Sequence, residues 1–322
     1  MKDPLVSVVI NFRNEAENID MAPLALSRQT YRNFEVILVD DGSTDRTAEL
    51  TLEKYGTLLP NVTLIKVGKC LGLRPARNLG VKKSRGDIII TLDFHTTFDQ
   101  KFIERIVKVF TDNEKVGAVG SLILPYGNEW FNRGMRVIEK FLFKLRRLIR
   151  GYNYIFGTAA AYRAKALREI GYLSTSNIVE DVDASWKLAK CGWDILIAED
   201  NLVFHKGSYK TFGGFLRKLF VGGVRGAFLL SRYKKKLFYP QYLIRFLLPF
   251  ILIPLFLFPF ILPLLMVIYL LVGTFVFILI SKESIRNSLL GIIIFLLMIV
   301  IFSLGLYYGL IAIITRKSIS ID

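Results

Sequence analysis

Two stretches of the chain carry no charge at all, Phe246 to Ile280 and Asn287 to Thr315. A membrane-spanning helix needs about 20 consecutive, mostly apolar residues. The second stretch therefore fits one span, and the first is too long for one. Pro249, Pro254, Pro259 and Pro263 interrupt the first stretch, and a break near Leu262–Pro263 predicts two short helices. The expected layout is a transmembrane region over 243–315 with three spans, at about 243–261, 263–280 and 288–314, then a tail over 316–322. The alternative has two spans, with the proline-rich stretch as one re-entrant or kinked segment.

The rest of the chain is strongly basic. It has 322 residues, 43 Lys+Arg against 27 Asp+Glu, and 52% hydrophobic residues. Up to position 242 it carries 38 basic and 25 acidic residues, an excess of 13. Disorder is excluded by the apolar content, and a disulfide-stapled class by two cysteines, Cys70 and Cys191, which suit a reducing compartment. From Lys206 to Arg245 there are ten basic residues and no acid. Positive charge beside a span marks its cytoplasmic end, so the expectation is an integral membrane protein with a cytoplasmic N-terminal domain. Lys282 and Arg286 agree with three spans; Arg316 and Lys317 would then face outward, against the trend. Leu5–Ile10 is too short for the apolar core of a signal peptide.

The first 200 residues alternate strand and helix patterns. Leu5–Asn11, Phe34–Asp40, Val62–Val67, Asp87–Leu92 and Val116–Ile123 are short apolar runs of strand type. Between them, helices are predicted to about Tyr55, capped by Ser43 or Thr44, over Pro75–Ser84 and over Gln100–Asn113. This order predicts an α/β domain with a mostly parallel sheet covered on both faces. Ligands of such sheets bind beyond the carboxyl ends of the strands. Asn11, Asp40, Asp41 and Asp93 sit at those ends. There is no GxGxxG after the first strand and no GxxxxGK[ST] anywhere, which disfavours a dinucleotide enzyme or a P-loop ATPase.

Five segments in order resemble the family 2 glycosyltransferases. They are VSVVINFRNE (Val6–Glu15), SRQTYRNFEVILVDDGSTDRT (Ser27–Thr47), PARNLGVKKSRGDIIITLD (Pro75–Asp93), GTAAAYRAKALREIGYL (Gly157–Leu173) and EDVDASWKLAKCGWDI (Glu180–Ile195). The resemblance implies a GT-A fold, Rossmann-like and mostly parallel, over a catalytic domain at 1–210. A basic, aromatic interface segment over 211–242 then leads to the spans. It also implies an inverting enzyme that takes a sugar from a nucleotide-diphosphate sugar.

Carried over residue by residue, the resemblance puts Asn11 and Arg13 at the border of the nucleotide. Asp41 would accept hydrogen bonds from the base, supported by Asp40; an Asx turn is the alternative role for this pair. Arg77 and Asn78 would approach the donor, the alternative for Arg77 being a solvated helix face. Asp93 begins the family's Asp-x-Asp pattern, but His95 stands where the second Asp belongs. With His205, these residues would ligate a divalent cation, Mn²⁺ or Mg²⁺. Imidazole tilts the preference towards Mn²⁺, and an attenuated or metal-independent site is the alternative. Asp181 would be the catalytic base, with Glu180 orienting donor or base, and the helix N-terminus would keep Asp181 ionised. Asp183 and Arg225 would lie towards the acceptor and the membrane.

Along Glu129–Arg150, Phe131, Met135, Ile138, Leu142, Leu145 and Ile149 form one helical stripe, and Arg133, Arg136, Lys140, Lys144 and Arg147 another. Such a helix suits either the membrane interface or the protein's own core. With Phe212–Tyr239 it would sit beside an anionic, lipid-linked acceptor. Val221–Gly226 resembles the glycine-and-arginine segment of non-processive members. The Gln-x-x-Arg-Trp motif of processive synthases is absent, with Trp130, Trp186 and Trp193 the only tryptophans. The expected partners are thus a nucleotide-sugar, a membrane-associated acceptor and the bilayer, and not nucleic acid. Transfer onto polyprenyl phosphate, or a non-catalytic membrane partner of the same fold, are the competing readings.

Overall fold

A computed structural model describes residues 3–148, 155, 157–175, 180–206, 211–233, 271–273, 275 and 284–315. The chain divides into two compact units, Met1–Leu124 with Asn153–Lys206, and Pro125–Tyr152 with Gly207–Asp322. Pro125–Tyr152, which lies inside the 1–210 range drawn from sequence, thus groups with the C-terminal residues.

The first unit is built on an eight-stranded sheet. Its strands are β1 (Val6–Phe12), β2 (Phe34–Asp40), β3 (Val62–Lys66), β4 (Ile88–Asp93), β5 (Thr96–Phe98), β6 (Val116–Pro125), β7 (Ala159–Arg163) and β8 (Asp194–His205), in the order β3-β2-β1-β4-β7-β6-β8-β5. β3, β2, β1 and β4 run parallel, and β7 enters antiparallel between β4 and β6. Register does the functional work. Phe12 pairs with Asp40 and Asn11 with Asp93, so the polar ends of three strands finish at one level.

Both faces of the sheet are buried, which explains the near-continuous apolar runs. Val8 and Ile10 face one core with Phe102 and Phe110 of α4 (Phe102–Asp112). Val9, Ile37 and Val39 face another with Ala76 and Val81 of α3 (Leu73–Lys83). Gly80 sets how closely α3 lies on the strands, because a Cβ there would overlap the side chains of Val9 and Val39. The helices α1 (Ala22–Ser27), α2 (Thr47–Tyr55), α6 (Ala164–Glu169) and α7 (Glu180–Lys190) complete the two layers.

Ser43 and Thr44 do not cap α2. Asp45 Oδ1 accepts from the Thr47 amide at 3.0 Å instead. Ser43 Oγ accepts from the Asn14 amide at 3.1 Å, and the Thr44 amide donates to Asn14 Oδ1 at 2.8 Å. The two hydroxyl residues therefore tie together the loops that follow β1 and β2.

In the second unit, α5 (Trp130–Leu148), α8 (Phe212–Tyr233) and α9 (Ile285–Ile314) share one apolar cluster. Phe131, Met135 and Ile138 of α5 pack with Phe215 and Leu219 of α8 and with Ile292, Ile294 and Met298 of α9. The first half of the α5 stripe, Phe131, Met135 and Ile138, is thus covered by α8 and α9. On its other side Arg136 donates to the carbonyls of Pro125 and Gly127 at 2.9 and 2.6 Å. Where α8 crosses α9, a Cβ at Gly223 would strike the Phe302 carbonyl, and one at Gly305 the Phe220 carbonyl. Small residues at such a crossing bring two backbones into contact.

Among the described residues, α9 is the one helix long and apolar enough to cross a membrane. Its 30 residues rise about 45 Å at roughly 1.5 Å each, and it starts three residues before the expected 288. Leu289, Ile293, Val300, Leu304, Tyr308 and Ile311 are exposed along it. The expected spans at about 243–261 and 263–280 lie outside the described residues, apart from 271–273 and 275.

Candidate active site

The carboxyl ends of β1 and β4 and the start of α7 converge on one arginine. Arg77, one turn into α3, is 3% exposed. Its Nε donates to Asn11 Oδ1 at 3.2 Å, its Nη2 pairs with Asp93 Oδ1 at 2.6 Å, and its Nη1 pairs with Glu180 Oε1. Arg74 Nε meets the other oxygen of Glu180 at 2.9 Å. Arg77 is thus no solvated helix residue but an internal hub joining two strands and a helix. A guanidinium suits this because it offers five donors in a fixed plane. A side chain at position 157 would run into Arg77, so Gly157 is required beside it.

Asp181 lies next to that hub, buried at the second position of α7. Its Oδ2 accepts from the Gly157 amide and its Oδ1 from the Val182 amide, both at 2.9 Å. Burial, helped by the neighbouring Glu180 charge, pushes its carboxyl up to about 6, against the pull of the two amides and Arg77. The helix terminus therefore does not hold Asp181 at an ordinary carboxylate value; loss of water outweighs it. Asp183, also buried, pairs with Lys187 at 2.8 Å within the same helix.

A second cluster forms on the outer side of Asp93. His205 Nε2 lies 3.3 Å from Asp93 Oδ2 and 3.0 Å from His95 Nε2. β5 and β8 bring the two histidines together, since Thr96 pairs with His205 across the strands. Burial would raise the Asp93 carboxyl, but the His205 hydrogen bond and the Arg77 charge hold it well below the usual range. It is ionised in this setting. Ligands around one transition ion at about 2.0–2.2 Å stand roughly 3 to 3.4 Å apart, so the donor spacing fits a single cation. One carboxylate oxygen and two imidazole nitrogens form a donor set for a borderline metal.

Of the remaining expected positions, Asp40, Asp41 and Asn78 are held by backbone amides. Asp40 Oδ1 accepts from the Ser43 amide, three residues on, at 2.9 Å. Asp41 accepts from the amides of Leu71 at 2.6 Å and Gly72 at 2.9 Å. Arg13 Nη1 lies 3.1 Å from Cys70 Sγ, and Cys70 itself reaches Asp41 Oδ2 at 3.5 Å. Asn78 Oδ1 accepts from the Leu173 amide at 3.2 Å. Arg225 falls within α8, in the second unit.

Sequence reasoning passed over four contributors: Glu15, which meets His95 Nδ1 at 3.0 Å; Arg74; the amides of residues 71 and 72; and the Gly157 amide. An acid just past the first strand was a visible signal for Glu15. The amides carried none, because any residue supplies one.

The pattern of glycosyl transferase family 2 matches residues 7–171. The glycosyltransferase AglE of Haloferax volcanii is 28% identical over 224 residues, covering 67% of this chain and 71% of that protein. A poly-β-1,6-N-acetyl-D-glucosamine synthase of Staphylococcus epidermidis is 25% identical over 201 residues, covering 59% of this chain. The match takes in 47% of the synthase, about half its length. Among solved structures, the mannosyltransferase PcManGT of Pyrobaculum calidifontis, in complex with GDP-Man and Mn²⁺, superposes with a TM-score of 0.56 at 20% identity. That superposition covers 71% of this chain and 64% of the other; it speaks to the fold.

Proposed function

The chain belongs to glycosyl transferase family 2 and is a nucleotide-sugar glycosyltransferase, and from that premise we propose an inverting enzyme that adds one sugar to a membrane-associated, lipid-linked glycan. The observation that carries the chemistry is Asp181, a buried carboxyl pushed up to about 6 beside the Arg77 hub. A general base works best with a value near the operating pH. At pH 7 most of Asp181 is ionised, and little free energy separates it from the protonated form.

In this mechanism the acceptor hydroxyl gives its proton to an Asp181 oxygen as its own oxygen attacks the anomeric carbon. The bond from that carbon to the β-phosphate oxygen breaks on the opposite face, and configuration inverts. Glu180, fixed by Arg74 and Arg77, keeps the start of α7 in place rather than moving protons. Asp93, His95 and His205 would hold a divalent cation, which when bound neutralises charge on the diphosphate that leaves. Asp41 Oδ1 accepts one amide and keeps a further lone pair for an N–H of the base. Arg13 and Asn11 stand at the same strand ends.

The membrane reading rests on α9 and on the ten basic residues between Lys206 and Arg245. A bilayer anchor confines the enzyme with an acceptor carried on lipid, raising its effective concentration. The same basic run supports a cytoplasmic catalytic unit. The test is a panel of UDP-, GDP- and dTDP-sugars with membrane lipid extract, with and without Mn²⁺. Transfer to an extractable lipid with inverted configuration supports the proposal. A product whose sugar is linked directly to polyprenyl phosphate, cleaved by mild acid, overturns the choice of acceptor.

A further inference from the structure

His95 stands where the resemblance calls for a second carboxylate, so the cation site has lost one negative charge from its immediate ligands. Directly behind His95 lies Glu15. Its Oε1 is 3.0 Å from His95 Nδ1, and its Oε2 accepts from Asn18 Nδ2 at 2.6 Å. The Glu15 amide is in turn fixed on Thr47 Oγ1 at 2.8 Å. Glu15 and His95 are largely shielded, with side chains 19% and 26% exposed. A carboxylate anchored at both oxygens and aimed at the rear nitrogen of a histidine does two things. It fixes the ring with its proton on Nδ1 and its lone pair on Nε2, and it makes that nitrogen a stronger donor.

We propose that Glu15 is a positioning residue for metal binding, and that Glu15 and His95 act together as a replacement for the missing carboxylate. This rests on the reading of Asp93, His95 and His205 as the cation site. The negative charge is retained but moved outward through the imidazole, so that Asp93 and Glu15 together still balance a dication. The ligand facing the ion becomes a nitrogen. The pairing thereby changes which cation is preferred while keeping the charge of the site. Glu15 does not touch the ion or the sugar donor; its effect passes through His95.

The inference is tested by Mn²⁺ titration of the full-length protein in detergent, following free Mn²⁺ by electron paramagnetic resonance, with Mg²⁺ as competitor. Glu15→Ala is expected to raise the Mn²⁺ dissociation constant about 10- to 100-fold, as loss of an outer-shell partner does. Glu15→Gln, which still accepts from Nδ1–H, is expected to lose less than Ala. In a His95→Asp background, Glu15→Ala should cause no loss, because a carboxylate at 95 has no rear nitrogen to orient and is repelled by Glu15. His95→Asp alone should shift selectivity towards Mg²⁺. An unchanged Mn²⁺ affinity in Glu15→Ala overturns the proposal. So does an equal loss in both backgrounds, which would mean that Glu15 supports the loop and not His95. Wild-type protein without saturable Mn²⁺ binding overturns the cation site itself, and the proposal with it. If Glu15→Ala does not fold, Glu15→Gln in the two backgrounds decides by the same coupling.

Discussion

In the first unit charge is taken inside; in the second, among the described residues, it is not. Glu35, Asp40, Asp41, Arg77, Arg163, Glu180, Asp181 and Asp183 are all buried, and all belong to the first unit. Among the described residues, the buried polar side chains of the second unit are Asn132, Ser288 and Ser303, none of them charged. The first unit has an apolar frame of two cores, and each buried charge meets partners fixed by that frame. Burial of ions is costly and is tolerated where the partners are complete. The second unit is apolar inside and out along α9, so water exclusion distinguishes its inner face less. There the fit depends on glycines that let α8 and α9 touch. One unit spends its precision on placing charges for chemistry, the other on bringing backbones together.

The largest effect should come from the charge that does the reaction. Asp181→Asn keeps the shape but removes the base, and kcat should fall by about 10²–10⁴, measured by transfer from the preferred donor. Its stability should also change with pH in a defined sense. A carboxyl raised to about 6 on folding favours the native state when protonated, so wild-type stability falls as pH rises from about 4 to 6. Denaturant unfolding across that window should show the fall in wild type and a flatter dependence in Asp181→Asn.

Next comes the hub. Arg77→Ala leaves the partly buried Asp93 without its guanidinium and Glu180 with Arg74 alone, and unfolding by denaturant should show a loss of about 3–5 kcal/mol. Arg77→Lys should recover little, because one ammonium cannot reach Asn11, Asp93 and Glu180 at once. A smaller loss belongs to the second unit. Gly223→Leu should lower the thermal midpoint in detergent through overpacking of about 1–3 kcal/mol, while Mn²⁺ binding by the first unit stays intact. If Gly223→Leu unfolds at the wild-type temperature, α8 and α9 do not meet as described. The smallest effect is expected at the exposed pair Arg46–Glu53, 3.1 Å apart with side chains 70% and 61% exposed. Arg46→Ala should cost no more than about 1 kcal/mol, and a larger cost would contradict the contrast between buried and surface charge.

Much of this frame could be read before any coordinates. Phe34–Asp40 is a strand at the expected bounds, and Thr47–Tyr55, Leu73–Lys83 and Phe102–Asp112 are helices within a few residues. Their apolar runs and periods are local signals. The grouping of Asp93, His95 and His205 was legible only through the family resemblance, because nothing local brings His95 to His205, 110 residues away; the pairing of β5 with β8 does that. The same resemblance put Arg77 near the donor, but no local signal shows that Asn11, Asp93 and Glu180 converge to draw it inside. The amphipathic pattern of α5 was clear, but a stripe does not say what covers it. Ser43 and Thr44 do not serve as the cap because α2 begins only at Thr47, whose amide Asp45 holds, while the two hydroxyl residues are engaged with Asn14.

The most direct test of the central claim is the pH dependence of kcat/KM for transfer from the preferred nucleotide-sugar, in wild type and in Asp181→Asn. The account predicts a rise of about tenfold per pH unit below a bend near 6, a plateau above it, and no such limb in the residual activity of Asp181→Asn. A wild-type profile without the limb, or the same limb persisting in Asp181→Asn, would contradict Asp181 as the base.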